Sequence, residues 1–215
     1  MSPRNHVIVT GTGRAGTSFL VELLTRLGQD TGFSANDLVS KKCRNARAGL
    51  EHDVRSSRCP YIVKSPQFCD HAEEVIRRDD IVIDHMFIPI RDLGAAAESR
   101  RHVERTASTD LPLVRRLIYR LGIWPPPGGL WRTHSTVPGE QESVLSVQIY
   151  NLVLALADTS VPVTFLRYPR LVTDGPYLFS KLNPVLQNVS SETFASVFGG
   201  TSRPELVHQF NEHDC

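Results

Sequence analysis

The sequence predicts an α/β fold in which a parallel β-sheet is sandwiched by helices, giving three layers, α/β/α. Short runs of apolar, β-forming residues alternate along the chain with segments of helical periodicity, which is the pattern of a parallel sheet. The first of these runs leads through a glycine-rich turn directly into a helix. The length of 215 residues suits one core, so we expect a single domain over residues 1–215.

The glycine-rich turn after the first strand, residues 7–9, is the most informative stretch. Its three glycines let the backbone bend tightly and direct several N–H groups into one concavity, to which the following helix adds its N-terminal donors. The spacing of Gly11, Gly16 and Ser18 fits a P-loop, but Thr17 stands where a nucleotide triphosphatase needs its lysine. The basic residue of the turn is Arg14. We therefore predict a phosphate cradle on a P-loop-type sheet, with these candidate binding residues: Gly11, Thr12, Gly13, Arg14, Ala15, Gly16, Thr17 and Ser18.

The next elements are predicted from apolar runs and helical spacing. A polar segment over residues 30–53 follows the first helix, with weak helical spacing near residues 36–42. Residues 60–63 form the second strand candidate and deliver Lys64 at the sheet edge where open parallel sheets bind ligands. A helix is expected over residues 67–77. Residues 81–90 carry the strongest strand signal, which Asp84 and His85 are expected to interrupt with a bend or a loop.

A second candidate for phosphate binding follows this strand. Asp92 is placed to cap the alanine-rich helix after it. Arg91 at the strand tip and Ser99 two turns along the helix fall close to one helical face, so that a guanidinium and a hydroxyl can hold one phosphate. Helix capping with surface salt bridges is the competing interpretation.

The second half of the chain alternates in the same way. Helical spacing over residues 110–121 precedes a Pro/Gly-rich loop at residues 124–139. This loop carries Trp124 and Trp131, and it is either a lid or acceptor-facing loop or a connector whose tryptophans pack down. A helix over residues 140–157, a strand over 161–166 and a helix over 176–186 complete the core, with short helices expected at 191–197 and 203–210.

Composition limits the partners. The net charge is +1, so we expect no basic surface for nucleic acid. No apolar run approaches the roughly 18 residues needed to span a bilayer, and the N-terminus has no apolar signal region, so we expect no transmembrane segment. The four cysteines show neither zinc nor Cys-x-x-Cys spacing, which indicates free thiols in a cytoplasmic protein.

Several of these motifs together resemble the sulfotransferases that use 3′-phosphoadenosine-5′-phosphosulfate (PAPS). Residues 13–19, Gly-Arg-Ala-Gly-Thr-Ser-Phe, are similar to the phosphosulfate loop of that family, with arginine in the basic position as in its tyrosylprotein branch. Residues 61–66 are similar to the Leu-Lys-x-Pro strand end of the carbohydrate, tyrosylprotein and bacterial branches. Arg91 and Ser99 match the family's 3′-phosphate motif, and residues 167–172 are similar to its Arg-Tyr-Glu-Asp-Leu segment without the two acids.

The resemblance, which covers about residues 6–100 and 161–188, implies in-line transfer of a sulfuryl group from PAPS to a hydroxyl or amine. The acceptor would be a small molecule, a glycan or a lipid, and no metal is required. Arg14 and the amides of residues 13–18 would hold the 5′-phosphosulfate, Arg91 and Ser99 would hold the 3′-phosphate, and Lys64 would neutralise charge on the leaving oxygen. Three candidate bases for the acceptor remain open: Asp37, Glu51 and His52.

Two other functions fit parts of the pattern. A P-loop nucleotide kinase would use Arg14, Ser18 and magnesium, although the missing lysine counts against it. A non-catalytic phosphate-binding or partner-docking protein would keep the fold without the chemistry. The sequence predicts neither the identity of the acceptor nor the oligomeric state.

Overall fold

A four-stranded, all-parallel β-sheet forms the centre of the protein. The computed structural model describes residues 2–43, 48–109 and 135–207. The strands of the sheet are β1 (Arg4–Val9), β4 (Ile62–Lys64), β5 (Ile81–Ile90) and β6 (Val163–Arg167), and a separate antiparallel pair is formed by β2 (Lys42–Cys43) and β3 (Ala48–Gly49). Across the sheet the order is β4-β1-β5-β6. Because the strands are parallel, their carboxyl ends meet at one edge.

Helices cover both faces of this sheet. They are α1 (Thr17–Arg26), α2 (Asp37–Ser40), α3 (Ala72–Ile76), α4 (Leu93–Thr109), α5 (Glu140–Ala157), α6 (Arg170–Thr173), α7 (Gly175–Leu182) and α8 (Ser191–Thr201). Successive residues of β1 point to opposite faces. Val7 and Val9 belong to a core with residues of α1, α6, α7 and α8, whereas Ile8 belongs to a core with residues of α3 and α5. The predicted three-layer α/β/α fold is confirmed.

The expected interruption of the strong strand is wrong. β5 runs unbroken from Ile81 to Ile90, and its pairing with β1 shifts by one residue where His6 faces Ile83 and Val7 faces His85. Asp84 is the extra residue of this β-bulge. Its carboxylate accepts hydrogen bonds from Asn5 Nδ2 at 2.7 Å and from Tyr61 Oη at 3.0 Å. Asn5 of β1 and Tyr61, just before β4, therefore satisfy the polar side chain of Asp84, and β5 continues past it.

The helix expected over residues 67–77 is divided. A 3-10 turn occupies Phe68–Asp70, and α3 begins only at Ala72. The division falls at His71, whose φ of −139° is outside helical geometry and whose ring packs edge-on against Phe68 at 5.6 Å between centroids. The segment still buries Phe68 and Val75 in the core on the α5 side of the sheet.

α4 and α5 follow the predicted pattern and pack against each other. Asp92 caps α4 by accepting a hydrogen bond from the Ala95 backbone N–H at 2.9 Å, as expected. α5 has the predicted bounds. Ala96 and Ala97 of α4 pack against Leu145 of α5, while Leu152, two turns further along α5, belongs to the core on the sheet. The first half of α5 therefore contacts α4, and the second half contacts the sheet.

The end of the described chain differs from the prediction in detail. β6 begins two residues later than expected, and the helix predicted over residues 176–186 is α7, preceded by the short α6. Within the helix expected over 203–210, Pro204–Leu206 form a 3-10 turn, and residues 208–210 lie outside the described residues. The predicted helix at 110–121 and both tryptophans of the Pro/Gly-rich loop lie outside the described residues. Among the helices that are described, none is long and apolar enough to cross a membrane.

Candidate functional site

The glycine turn joins β1 to α1 at the carboxyl edge of the sheet, and left-handed residues shape it. Gly11 has a φ of 126°, Arg14 of 71° and Gly16 of 94°. A Cβ on Gly11 would lie 3.0 Å from the Pro89 carbonyl oxygen. Glycine adopts such backbone angles readily, which accounts for Gly11 and Gly16. Arg14 is not a glycine, so the same left-handed conformation costs it free energy. Strain of this kind is found most often at functional sites.

The structure brings Arg14, Arg91 and Ser99 together. Arg14 Nε donates a hydrogen bond to Ser99 Oγ at 3.1 Å. Arg91 Nη1 donates to the Arg14 carbonyl oxygen at 3.2 Å, and the Arg91 guanidinium lies over the Tyr168 ring at 4.8 Å. Burial lowers the pKa of Arg91. Arg91 and Ser99, the pair predicted after β5, are therefore both hydrogen-bonded to Arg14 of the glycine turn. The guanidinium groups of Arg14 and Arg91 lie at the same carboxyl edge of the sheet.

Lys64 reaches the same turn from the other neighbouring strand. Its side chain is only 2% exposed. Nζ donates to Ser18 Oγ at 2.9 Å, to the Gly49 carbonyl oxygen at 2.5 Å and to Glu51 Oε1 at 2.7 Å. The lysine therefore connects the start of α1 with the segment that follows β3. A buried ammonium group is placed beside the hydroxyl of the predicted phosphate cradle.

The three candidate bases occupy different environments. Glu51 contacts Lys64 and is 43% exposed, so its carboxylate faces both the lysine and solvent. Asp37 pairs with Lys41 at 2.8 Å and accepts from the Ser34 backbone N–H. The hydrogen bond with Lys41 is the largest cause of the lowering of the Asp37 pKa, which weakens this carboxylate as a base.

His52 is held by packing. Its ring stacks on Phe33 with 4.6 Å between centroids, and burial lowers its pKa. Its Nε2 is buried without a hydrogen-bond partner among the described residues, and it would lie 3.1 Å from a Cβ on Gly32. His52 meets Lys64 through the backbone, its N–H donating to the Lys64 carbonyl oxygen at 3.0 Å, whereas the Glu51 carboxylate accepts from Lys64 Nζ at 2.7 Å, so the geometry favours Glu51.

Arg100 also reaches the site, and it is not among the residues selected from the sequence. Its side chain is fully buried. Nε donates to Gln141 Oε1 of α5 at 2.6 Å, and Nη1 lies 3.5 Å from the position that a Cβ on Gly13 would take. Burial, together with the nearby charge of Arg14, lowers the pKa of Arg100 to about 10. The only sequence signal for Arg100 is that it follows Ser99.

Four cationic side chains therefore meet at or beside one glycine turn: Arg14, Lys64, Arg91 and Arg100. The whole chain has a net charge of only +1. Backbone N–H groups in a left-handed turn at a helix N-terminus already favour an anion. Guanidinium groups add forked donors that match phosphate and sulfate oxygens. The arrangement is suited to binding an anion with several charges.

No protein-family model, curated protein or solved structure matches this chain.

Proposed function

We propose that this protein is a sulfotransferase that moves a sulfuryl group from PAPS to a hydroxyl or amine of a small-molecule, glycan or lipid acceptor. The observation that carries the proposal is the hydrogen-bonded cluster of Arg14, Arg91 and Ser99 at the carboxyl ends of β1 and β5. These are the residues that the family resemblance assigns to the two ends of PAPS. A donor with a 5′-phosphosulfate and a separate 3′-phosphate needs two neighbouring cationic positions, which Arg14 and Arg91 supply.

Lys64 and Ser18 favour this proposal over a kinase. A kinase of this type would use the hydroxyl of Ser18 as a magnesium ligand. Lys64 Nζ donates to that hydroxyl at 2.9 Å and so places a positive charge where the metal would bind. In a sulfotransferase the same ammonium group stabilises negative charge that grows on the leaving oxygen. Preorganised charges of this kind lower the barrier because they need no rearrangement during the reaction.

Glu51 is the base that we assign to the acceptor. Its Oε1 lies 2.7 Å from Lys64 Nζ, and its carboxylate is partly open to solvent. An acceptor hydroxyl or amine placed beside Lys64 can therefore lose its proton to Glu51 while the ammonium group faces the bond that breaks. The bond between sulfur and the bridging oxygen of PAPS breaks as the bond from sulfur to the acceptor oxygen or nitrogen forms, so that adenosine 3′,5′-bisphosphate leaves and the acceptor proton passes to the carboxylate.

We also propose that the protein acts in the cytoplasm. Among the described residues, Cys59 and Cys69 are not in disulfide bonds, as expected in a reducing compartment.

Calorimetric titration of the purified protein tests the proposed donor. Adenosine 3′,5′-bisphosphate, the product of PAPS, is titrated without magnesium, and ATP is titrated with magnesium. We expect the bisphosphate to bind and magnesium-ATP to bind weakly or not at all. Binding of magnesium-ATP alone would refute the sulfotransferase and favour a kinase. Absence of binding by both nucleotides would favour a protein that does not use nucleotide.

A further inference from the structure

Arg100 is a buried cation beside the glycine turn to which the family resemblance assigns no role. Its side chain is 0% exposed, and it heads the fully buried side chains of the described residues by volume. Removing a charged group from water carries a large desolvation cost. This guanidinium lies beside the predicted phosphate cradle, because its Nη1 is 3.5 Å from the position that a Cβ on Gly13 would take.

A neutral amide orients the Arg100 guanidinium. Gln141, itself fully buried, accepts from Arg100 Nε at 2.6 Å and donates through Nε2 to the Ser135 carbonyl oxygen at 2.8 Å. The amide helps to fix the plane of the guanidinium, and it carries no charge itself. The neighbouring residue Arg101 is held by the carboxylates of Glu98 and Glu142.

Arg100 and Arg14 bring like charges to one turn. Ser99 binds Arg14 and the next residue, Arg100, lies against Gly13, so that α4 holds both guanidinium groups on the turn. The charge of Arg14 contributes to the lowered pKa of Arg100. Two like charges repel each other in a site of low dielectric constant. An anion bound within the turn attracts both guanidinium groups and so offsets their mutual repulsion.

We propose that Arg100 is a third guanidinium of the anion site and donates a hydrogen bond, from the Gly13 side of the turn, to one of two linked oxyanions. The ligand group is of the pyrophosphate type, such as a phosphosulfate. The inference rests on the proposed function only for the identity of the nucleotide. The role of Arg100 in binding the anion does not depend on the proposed function. Gln141 is a positioning residue that aims the guanidinium.

Titration with inorganic pyrophosphate tests this role. The variant Arg100→Gln removes the charge, and its dissociation constant for pyrophosphate is expected to rise about 10- to 100-fold, the effect of one hydrogen bond to a charged group. The control is Arg105→Gln on the same helix, because Arg105 pairs with Glu98 and its own side chain is 54% exposed. We expect the control to change the constant by about twofold or less.

A second variant separates binding from a structural role. Gln141→Glu places a carboxylate beside Arg100 Nε, so it strengthens the tie between α4 and α5 while it neutralises the guanidinium. If Arg100 binds the anion, Gln141→Glu weakens pyrophosphate binding about 10-fold or more. If Arg100 only joins the helices, the affinity stays at the wild-type value, and that result overturns the proposal. This variant decides the question if circular dichroism shows that Arg100→Gln is unfolded.

The same titrations distinguish the two proposals from each other. Pyrophosphate binding that depends on Arg100, without any binding of adenosine 3′,5′-bisphosphate, refutes the sulfotransferase and retains the role of Arg100. Bisphosphate and pyrophosphate affinities that neither variant changes refute the role of Arg100 and retain the sulfotransferase. A wild-type protein that binds neither compound contradicts both.

Discussion

Replacing Gly16 by alanine tests the geometry of the glycine turn. Gly16 has a φ of 94°, a left-handed conformation that costs an L-residue about 1–2 kcal/mol. A Cβ there would also lie 3.1 Å from Leu171 Cδ1 and 3.2 Å from Tyr168 Cδ2, and moving packed neighbours typically costs a further ~1–3 kcal/mol. We therefore expect the free energy of unfolding, measured by urea denaturation, to fall by about 2–5 kcal/mol.

Gly28→Ala is the matched control for this experiment. Gly28 also has a left-handed φ, 76°, but a Cβ at this position would meet no atom within 4 Å. The control therefore carries the backbone strain without the contacts and is expected to lose only about 1–2 kcal/mol. Equal losses in the two variants would show that the turn does not pack against α6 as described. Because Gly16 lies in the glycine turn and Gly28 does not, we also expect Gly16→Ala, but not Gly28→Ala, to weaken anion binding.

Three further predictions concern single side chains. Lys64→Met lowers the rate of bisphosphate release from PAPS, measured with a panel of hydroxyl and amine acceptors, by about 100- to 1000-fold; a wild-type rate would exclude its role at the leaving oxygen. Glu51→Gln lowers the same rate about 100- to 10,000-fold, whereas Asp37→Asn leaves it nearly unchanged; the reverse ranking would assign the base to Asp37. Burial raises the pKa of the Cys59 thiol from 9.0 to about 11. Only the thiolate reacts, so alkylation of Cys59 by iodoacetamide in the folded protein should accelerate as the pH rises from about 9 to 11. In urea-unfolded protein the acceleration should occur at lower pH. Identical pH profiles for the two states would contradict the burial of Cys59.

Features that depend on a few adjacent residues could be predicted from the sequence. The glycine turn is one of them, because Gly11 and Gly16 occupy left-handed conformations that few other residues adopt. The cap of α4 is another, since Asp92 binds a backbone N–H only three residues away. The alternation of strands and helices likewise follows from local periodicity and was sufficient for the three-layer fold.

Features that depend on distant contacts could not be predicted. The pair between Arg101 and Glu98 is local to α4, but the packing of α5 decides that Arg100 meets the amide of Gln141 and that Arg101 also meets the carboxylate of Glu142. The preference for Glu51 over the other bases arises in the same way, because it depends on a contact with Lys64 at the end of another strand. Asp84 was misread as a strand break because its hydrogen-bond partners, Asn5 and Tyr61, are far from it in the sequence.

The most direct test of the central claim is the preference of the protein for adenosine 3′,5′-bisphosphate over adenosine 5′-monophosphate, measured by calorimetry. The two ligands differ only in the 3′-phosphate, which we assign to Arg91. The wild type should prefer the bisphosphate, and Arg91→Ala should lose about 1.5–3 kcal/mol of that preference, as expected for a charged hydrogen bond. Arg167→Ala, an exposed arginine at the end of β6, serves as the control and should retain it. A wild type that does not distinguish the two nucleotides, or an Arg91→Ala variant that distinguishes them equally well, would contradict the account.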